Sequence, residues 1–140
     1  MDISAAALDV ARQNADLQHT KIDFQENDAL SMKADTKEEY DIIVSNPPYI
    51  VESEKKNMCA NVLDYEPHLA LFIPDDEPLK FYKAISEYAI DSLTSQGKLY
   101  FEINPLFSDQ LTKMLSAQGW NDVQIYPDMY GKKRFARAVK

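Results

Sequence analysis

The chain has 140 residues, 45% of them hydrophobic, with 23 acidic against 15 basic side chains and a formal net charge of -8. That length suits one domain with its own core, and the acidic balance, with an isoelectric point near 4.7, argues against a protein whose main partner is a nucleic-acid backbone. No apolar run approaches a membrane span or a signal-peptide core, which reads as a cytoplasmic protein without membrane partners, and the single Cys59 with two distant histidines excludes a disulfide and gives no metal spacing.

Ala5, Leu8, Ala11 and Ala15 recur at helical spacing between Ile3 and Leu17, with Ser4 placed to cap. Lys21 to Gln25 alternates Ile22 and Phe24 with polar neighbours and predicts a short strand, followed by Asn27-Asp28-Ala29-Leu30 in a loop. Asp41 to Ser45 predicts a parallel strand covered on both faces, because Ile42, Ile43 and Val44 are consecutive and apolar. Residues 50 to about 77 show no sustained period and predict mostly loop with one helical turn, and a loop of that length in a compact domain usually serves function.

Leu79, Tyr82, Ile85, Ala89 and Leu93 form a stripe on a helix predicted to end near Gly97. Lys98 to Ile103 then predicts a strand, Leu106 to Gln118 a helix stopped by Gly119, and Val123–Tyr126 with Phe135–Val139 two antiparallel strands around Asp128-Met129-Tyr130-Gly131. The alternation is α/β. Trp120 and Tyr130 read as packing residues, and Lys132-Lys133-Arg134 as a solvated turn.

The chemistry concentrates where the Asp41–Ser45 strand runs into Asn46-Pro47-Pro48-Tyr49. Two prolines lack N–H groups and fix their own φ, so nearby carbonyls stay free and Asn46 is held extended. A planar NH₂ needs two acceptors in its plane and an apolar face above it, roles that suit Asn46 Oδ1, the Pro47 carbonyl and the Tyr49 ring. The competing reading is an ordinary Pro-Pro strand stop.

With these elements placed, the chain resembles the class I S-adenosylmethionine-dependent methyltransferases and, within them, the HemK/PrmC family that methylates the glutamine of peptide chain release factors. The resemblance rests on Asp2-Ile3-Ser4 with Ala7-Leu8 and Ala11 through Asn14, Asn46-Pro47-Pro48-Tyr49-Ile50, Tyr65-Glu66-Pro67 with Ala70-Leu71, Gly97 with Glu102-Ile103, and Asp128 with Gly131 and Arg134. It implies a Rossmann-like fold, S-adenosylmethionine as cofactor and a release factor as protein substrate. By it, Asp2 takes the cofactor ribose, Asp28 lies beside the adenine and Asn46 also borders the cofactor. Asn46, Pro47, Pro48 and Tyr49 hold the glutamine amide, and Glu66 shapes the pocket or its loop. Outside the motif set, Asp2 reads as a helix-start charge and Asp28 as a loop residue.

The Asn-Pro-Pro-Tyr motif is shared with adenine-N6 methyltransferases, which stay open as an alternative beside a ribosomal-protein glutamine methyltransferase and a noncatalytic binding or structural module. A hydrolase or nucleotide binder of another α/β family ranks last, since no nucleophile elbow or phosphate loop is present. The family's glycine-rich loop has no counterpart, because glycine occurs only at 97, 119 and 131. The resemblance therefore implies the C-terminal part of the methyltransferase domain, truncated and missing strands 1 and 2. Asp41–Ser45 would then sit at a sheet edge, where unpaired backbone groups invite self-association and weaken cofactor binding.

Overall fold

A computed structural model gives the fold, and describes residues 1–34, 39–58, 61, 63 and 67–140. A four-stranded sheet is built from β1 (Tyr40–Ser45), β4 (Leu93–Glu102), β5 (Asn121–Pro127) and β6 (Lys133–Val139) in the order β1-β4-β6-β5. The β1–β4 pair is parallel, whereas β4–β6 and β6–β5 are antiparallel. Two further strands, β2 (Ile50–Val51) and β3 (Phe72–Ile73), pair with each other in parallel.

Strand alternation selects the covered face. Leu99 pairs with Ala138 and Phe101 with Ala136, so these four side chains share one side of the sheet. The helices Lys80–Ser92 and Ser108–Ala117 supply Tyr82, Ile85, Ala89, Leu111 and Leu115 to the same buried cluster, which Trp120 and Ile103 complete. Trp120 thus packs in the core as expected, while Tyr130 is exposed.

The helix at the start runs Ala5–Leu17, and its N-cap Ser4 Oγ accepts from the Ala7 N–H. The strand expected at Lys21–Gln25 does not form. Asp2 makes a single parallel bridge to Glu26, and Ile22 is exposed: alternation was present, but a strand also needs a paired neighbour along its length. The expectation that β1 is covered on both faces also fails. Ile43 packs toward the core, but Ile42 and Val44 on the opposite side are 56% and 73% exposed, and β1 lies at the sheet edge.

The helix expected to reach Gly97 ends at Ser92, and Leu93 is already fully buried as strand. Between Leu93 and Lys98 the ladder slips: Tyr40 pairs with Leu93 and Ile42 with Lys98, so β4 carries extra residues in a bulge. Gln96 takes the left-handed turn there, with φ 69°. Gly97 serves the close approach, since a Cβ on it would lie 2.8 Å from the Thr94 carbonyl and 2.9 Å from Leu93 Cβ.

The described parts of the segment after the proline motif carry more regular structure than their composition implies. Its two ends meet in the β2–β3 pair, a 3-10 helix spans Glu52–Asn57 and a short helix spans His68–Leu71. Burial of Val51, Phe72 and Ile73 anchors this closed excursion, with Lys55 Nζ over the Phe72 ring at 4.4 Å. Among the described residues, no helix is long and apolar enough to cross a membrane.

Candidate active site

Ser45 pairs with Phe101, so the turn at Asn46 begins beside Glu102, the last residue of β4. Carboxyl ends of strands are where open α/β sheets hold ligands. Pro47 is buried and Pro48 half-buried beneath the turn, whereas Asn46 is exposed and its side chain is free of partners among the described residues. Buried Pro47 gives the exposed Asn46 a stiff neighbour, since its ring fixes φ and it has no N–H to donate.

Tyr49 is the most tightly held residue of the motif. Its hydroxyl donates to Glu102 Oε1 at 2.6 Å, a length typical of a bond to an ionised carboxylate. Burial pushes the Tyr49 phenol up to about 12, and the hydrogen bond and charge of Glu102 add to the effect. The Arg134 guanidinium beside it opposes the rise. Arg134 Nε in turn lies 3.8 Å from Asp128 Oδ2.

The main chain of Tyr49 is pinned separately. Asn104 Nδ2 donates to the Tyr49 carbonyl at 3.1 Å and to Glu54 Oε2 at 2.7 Å, while its Oδ1 accepts from the Leu106 N–H. Glu54 Oε2 also accepts from the Val51 N–H. Asn104 therefore joins the proline motif, the following 3-10 helix and the Pro105–Phe107 turn that it caps. Sequence reading missed both residues; Asn104 preceding a proline signals a helix cap, but neither signals a partner 50 or more positions away.

Asp2 and Asp28 form a second cluster. Asp2 donates its N–H to the Gln25 carbonyl and accepts the Asn27 N–H on its own carbonyl, bringing the two acidic residues to neighbouring loops. Asp2 Oδ1 accepts from the Ser4 N–H and Asp28 Oδ1 from the Leu30 N–H, leaving Oδ2 of each open among the described residues. Open carboxylate oxygens fit a sugar diol or an exocyclic amine. No hydrogen bond among the described residues links this cluster to Tyr49. Glu66 lies outside the described residues, as do Tyr65 and Cys59. Among the described residues, no group of His, Cys, Asp and Glu is arranged for a metal.

The family model of the methyltransferase small domain matches residues 1–66. Over 98% of its length the chain is 44% identical to a release factor glutamine methyltransferase of Bacteroides thetaiotaomicron, covering 49% of that protein. It is 42% identical to the protein of the same name from Flavobacterium psychrophilum, of which it covers 48%. Over nearly its whole length the chain is thus similar to proteins named release factor glutamine methyltransferase.

The fold has a counterpart among solved structures. A ribosomal protein L11 methylase from Lactobacillus delbrueckii superposes over 99% of this chain with a TM-score of 0.58, at 19% identity and over 54% of its own length. The chain spans about half the length of the curated methyltransferases it matches.

Proposed function

We propose that this chain carries the acceptor side of an S-adenosylmethionine-dependent methyltransferase acting on a glutamine side-chain amide in a peptide chain release factor, a substrate named for the relatives. The observation that carries the reading is the Asn46–Tyr49 turn at the carboxyl end of a parallel strand, its asparagine unengaged among the described residues and its tyrosine held by Glu102.

Asn46 Oδ1 and the Pro47 carbonyl accept the two amide protons of the glutamine, which fixes the plane of its nitrogen. The nitrogen lone pair then points out of that plane toward the donor. Tyr49 covers one face of the amide and excludes water from it. Alignment of this kind, with no covalent intermediate, accounts for rate enhancement by restricting the reacting pair to one approach. When bound, S-adenosylmethionine supplies an electrophilic methyl carbon on its sulfonium sulfur. Asp2 would hold its ribose and Asp28 its adenine, through the carboxylate oxygens left open in the second cluster. The nitrogen, cationic after methylation, is strongly acidic and loses a proton to solvent, so no protein base is required.

The test is methyl transfer from S-adenosylmethionine labelled in its methyl group to a bacterial release factor, with the modified residue located by mass spectrometry. Label on a glutamine, lowered about 100-fold or more by Asn46→Ala, supports the reading. A folded chain that neither binds the cofactor in a calorimetric titration nor transfers label is instead a binding or structural module.

A further inference from the structure

We propose that Glu102 is the positioning residue of the acceptor turn, fixing the Tyr49 ring through its hydroxyl while Asn104, two residues further on, fixes the same tyrosine through its main-chain carbonyl. The consequence for catalysis rests on the methyl-transfer reading; the clamp itself does not.

The geometry carries the argument. A tyrosine ring held only by packing can rotate about its side-chain torsions, but one held at its far end and at its backbone has both ends of its lever fixed. Tyr49 meets Glu102 Oε1 at 2.6 Å and Asn104 Nδ2 at 3.1 Å, both from the carboxyl end of β4. That end is rigid. The buried Tyr82 donates to the Glu102 carbonyl at 3.1 Å, and the next amide, Ile103 N–H, donates to the Arg134 carbonyl at 2.9 Å. Flanking Phe101 and Ile103 are locked in the core.

An alternative use of Glu102 is that of a solvated charge on the uncovered face of the sheet. Its direct, short bond to a half-buried phenol argues against that use, because a carboxylate left to water would not be engaged by a tyrosine 53 positions away. Functional groups need support of this kind, since a site held to within about 0.5 Å performs far better than one left loose.

The experiment is NMR titration of the chain labelled with ¹³C at the tyrosine phenol carbon, with the Tyr49 resonance identified by its loss in Tyr49→Phe. In the parent this resonance should titrate above the ordinary tyrosine range, pushed up to about 12. In Glu102→Gln its midpoint falls part of the way toward the ordinary tyrosine value of about 10, because the carboxylate charge is gone while burial persists. An unmoved midpoint and chemical shift in a folded Glu102→Gln chain overturn the clamp.

A second arm uses labelled methyl transfer. Tyr49→Phe keeps the ring and loses its tether, so it and Glu102→Gln each lower kcat with the cofactor KM unchanged, and the double variant is no slower than the slower single. Multiplying effects overturn the proposal. A parent chain that transfers no methyl group defeats the methyl-transfer reading, while the titration still decides the clamp.

Discussion

Tyr82 Oη donates to the main-chain carbonyl of Glu102 at 3.1 Å, tying the buried face of the Lys80–Ser92 helix to the last residue of β4. The Tyr82 ring meets Phe101 edge-on, with centroids 5.1 Å apart, so its apolar body serves the core while its polar tip reaches the site. Burial pushes its phenol far above the ordinary tyrosine value, which keeps it a donor throughout the working pH range. Tyr82→Phe retains the ring contact and removes the donor, leaving the carbonyl of Glu102 without this partner. The expected loss is about 1–3 kcal/mol in urea unfolding. An unchanged midpoint would mean that solvent replaces the hydroxyl without cost.

Gly97 tests the bulge at the start of β4. Its missing Cβ leaves room for the Thr94 carbonyl and for Leu93, which is fully buried. Backbone and a buried core side chain cannot withdraw as a flexible surface side chain would. Gly97→Ala should therefore destabilise the fold by about 1–3 kcal/mol, the usual range for forced overpacking. Thermal melting followed by circular dichroism checks this, and a variant as stable as the parent would show that the bulge yields freely.

The sequence is most informative where a periodic stripe coincides with its own packing partner. The helices at 5–17, 80–92 and 108–117, the strand at 40–45 and the final hairpin all follow from spacing and turn residues. It is least informative where the outcome depends on a neighbour. Ile22 and Phe24 alternate as a strand would, but among the described residues the one bridge here is from Asp2 to Glu26, just past that segment. Gly97 looks like a helix stop and acts as a close-approach residue inside a bulge. At the site, Asn46, Pro47, Pro48 and Tyr49 announce themselves as a rigid turn, whereas Glu54 and Asn104 gain their meaning from contacts across the chain. The meeting of residues 50–51 with 72–73 was equally hidden, because two-residue strands carry no measurable period.

The turn after β5 is predicted to loosen in acid. Asp128 accepts the N–H groups of Tyr130 and Lys132 on Oδ1 and faces Arg134, and the backbone bond from Lys132 is the leading cause that holds its carboxyl below the usual range. A depressed folded-state pKa means that the stabilisation is present above the unfolded value of about 4 and is lost as pH falls through the folded one. The protection factors of the Tyr130 and Lys132 amides, taken relative to the intrinsic exchange rate at each pH, should thus fall as the solution is taken below the ordinary carboxylate range. Asp128→Asn should show faster exchange already at neutral pH with less dependence on acid. Equal protection in parent and variant at neutral pH would rule out this role.

The edge position of β1 gives the last prediction. Among the described residues this strand is paired on one side, with β4, and its side chains Ile42 and Val44 are exposed while Ile43 packs against the core. Unpaired backbone groups beside exposed β-branched residues are a template for a second strand, and lysine on an edge is a common natural defence. Val44→Lys adds charge at an exposed site, so its effect on monomer stability should stay within about 0.5 kcal/mol. Its effect on association should be larger: sedimentation velocity should show the parent forming larger species as concentration rises and the variant remaining monomeric. A parent that sediments as a monomer across the whole concentration range would mean that the twist of β1 and its flanking charges already protect the edge.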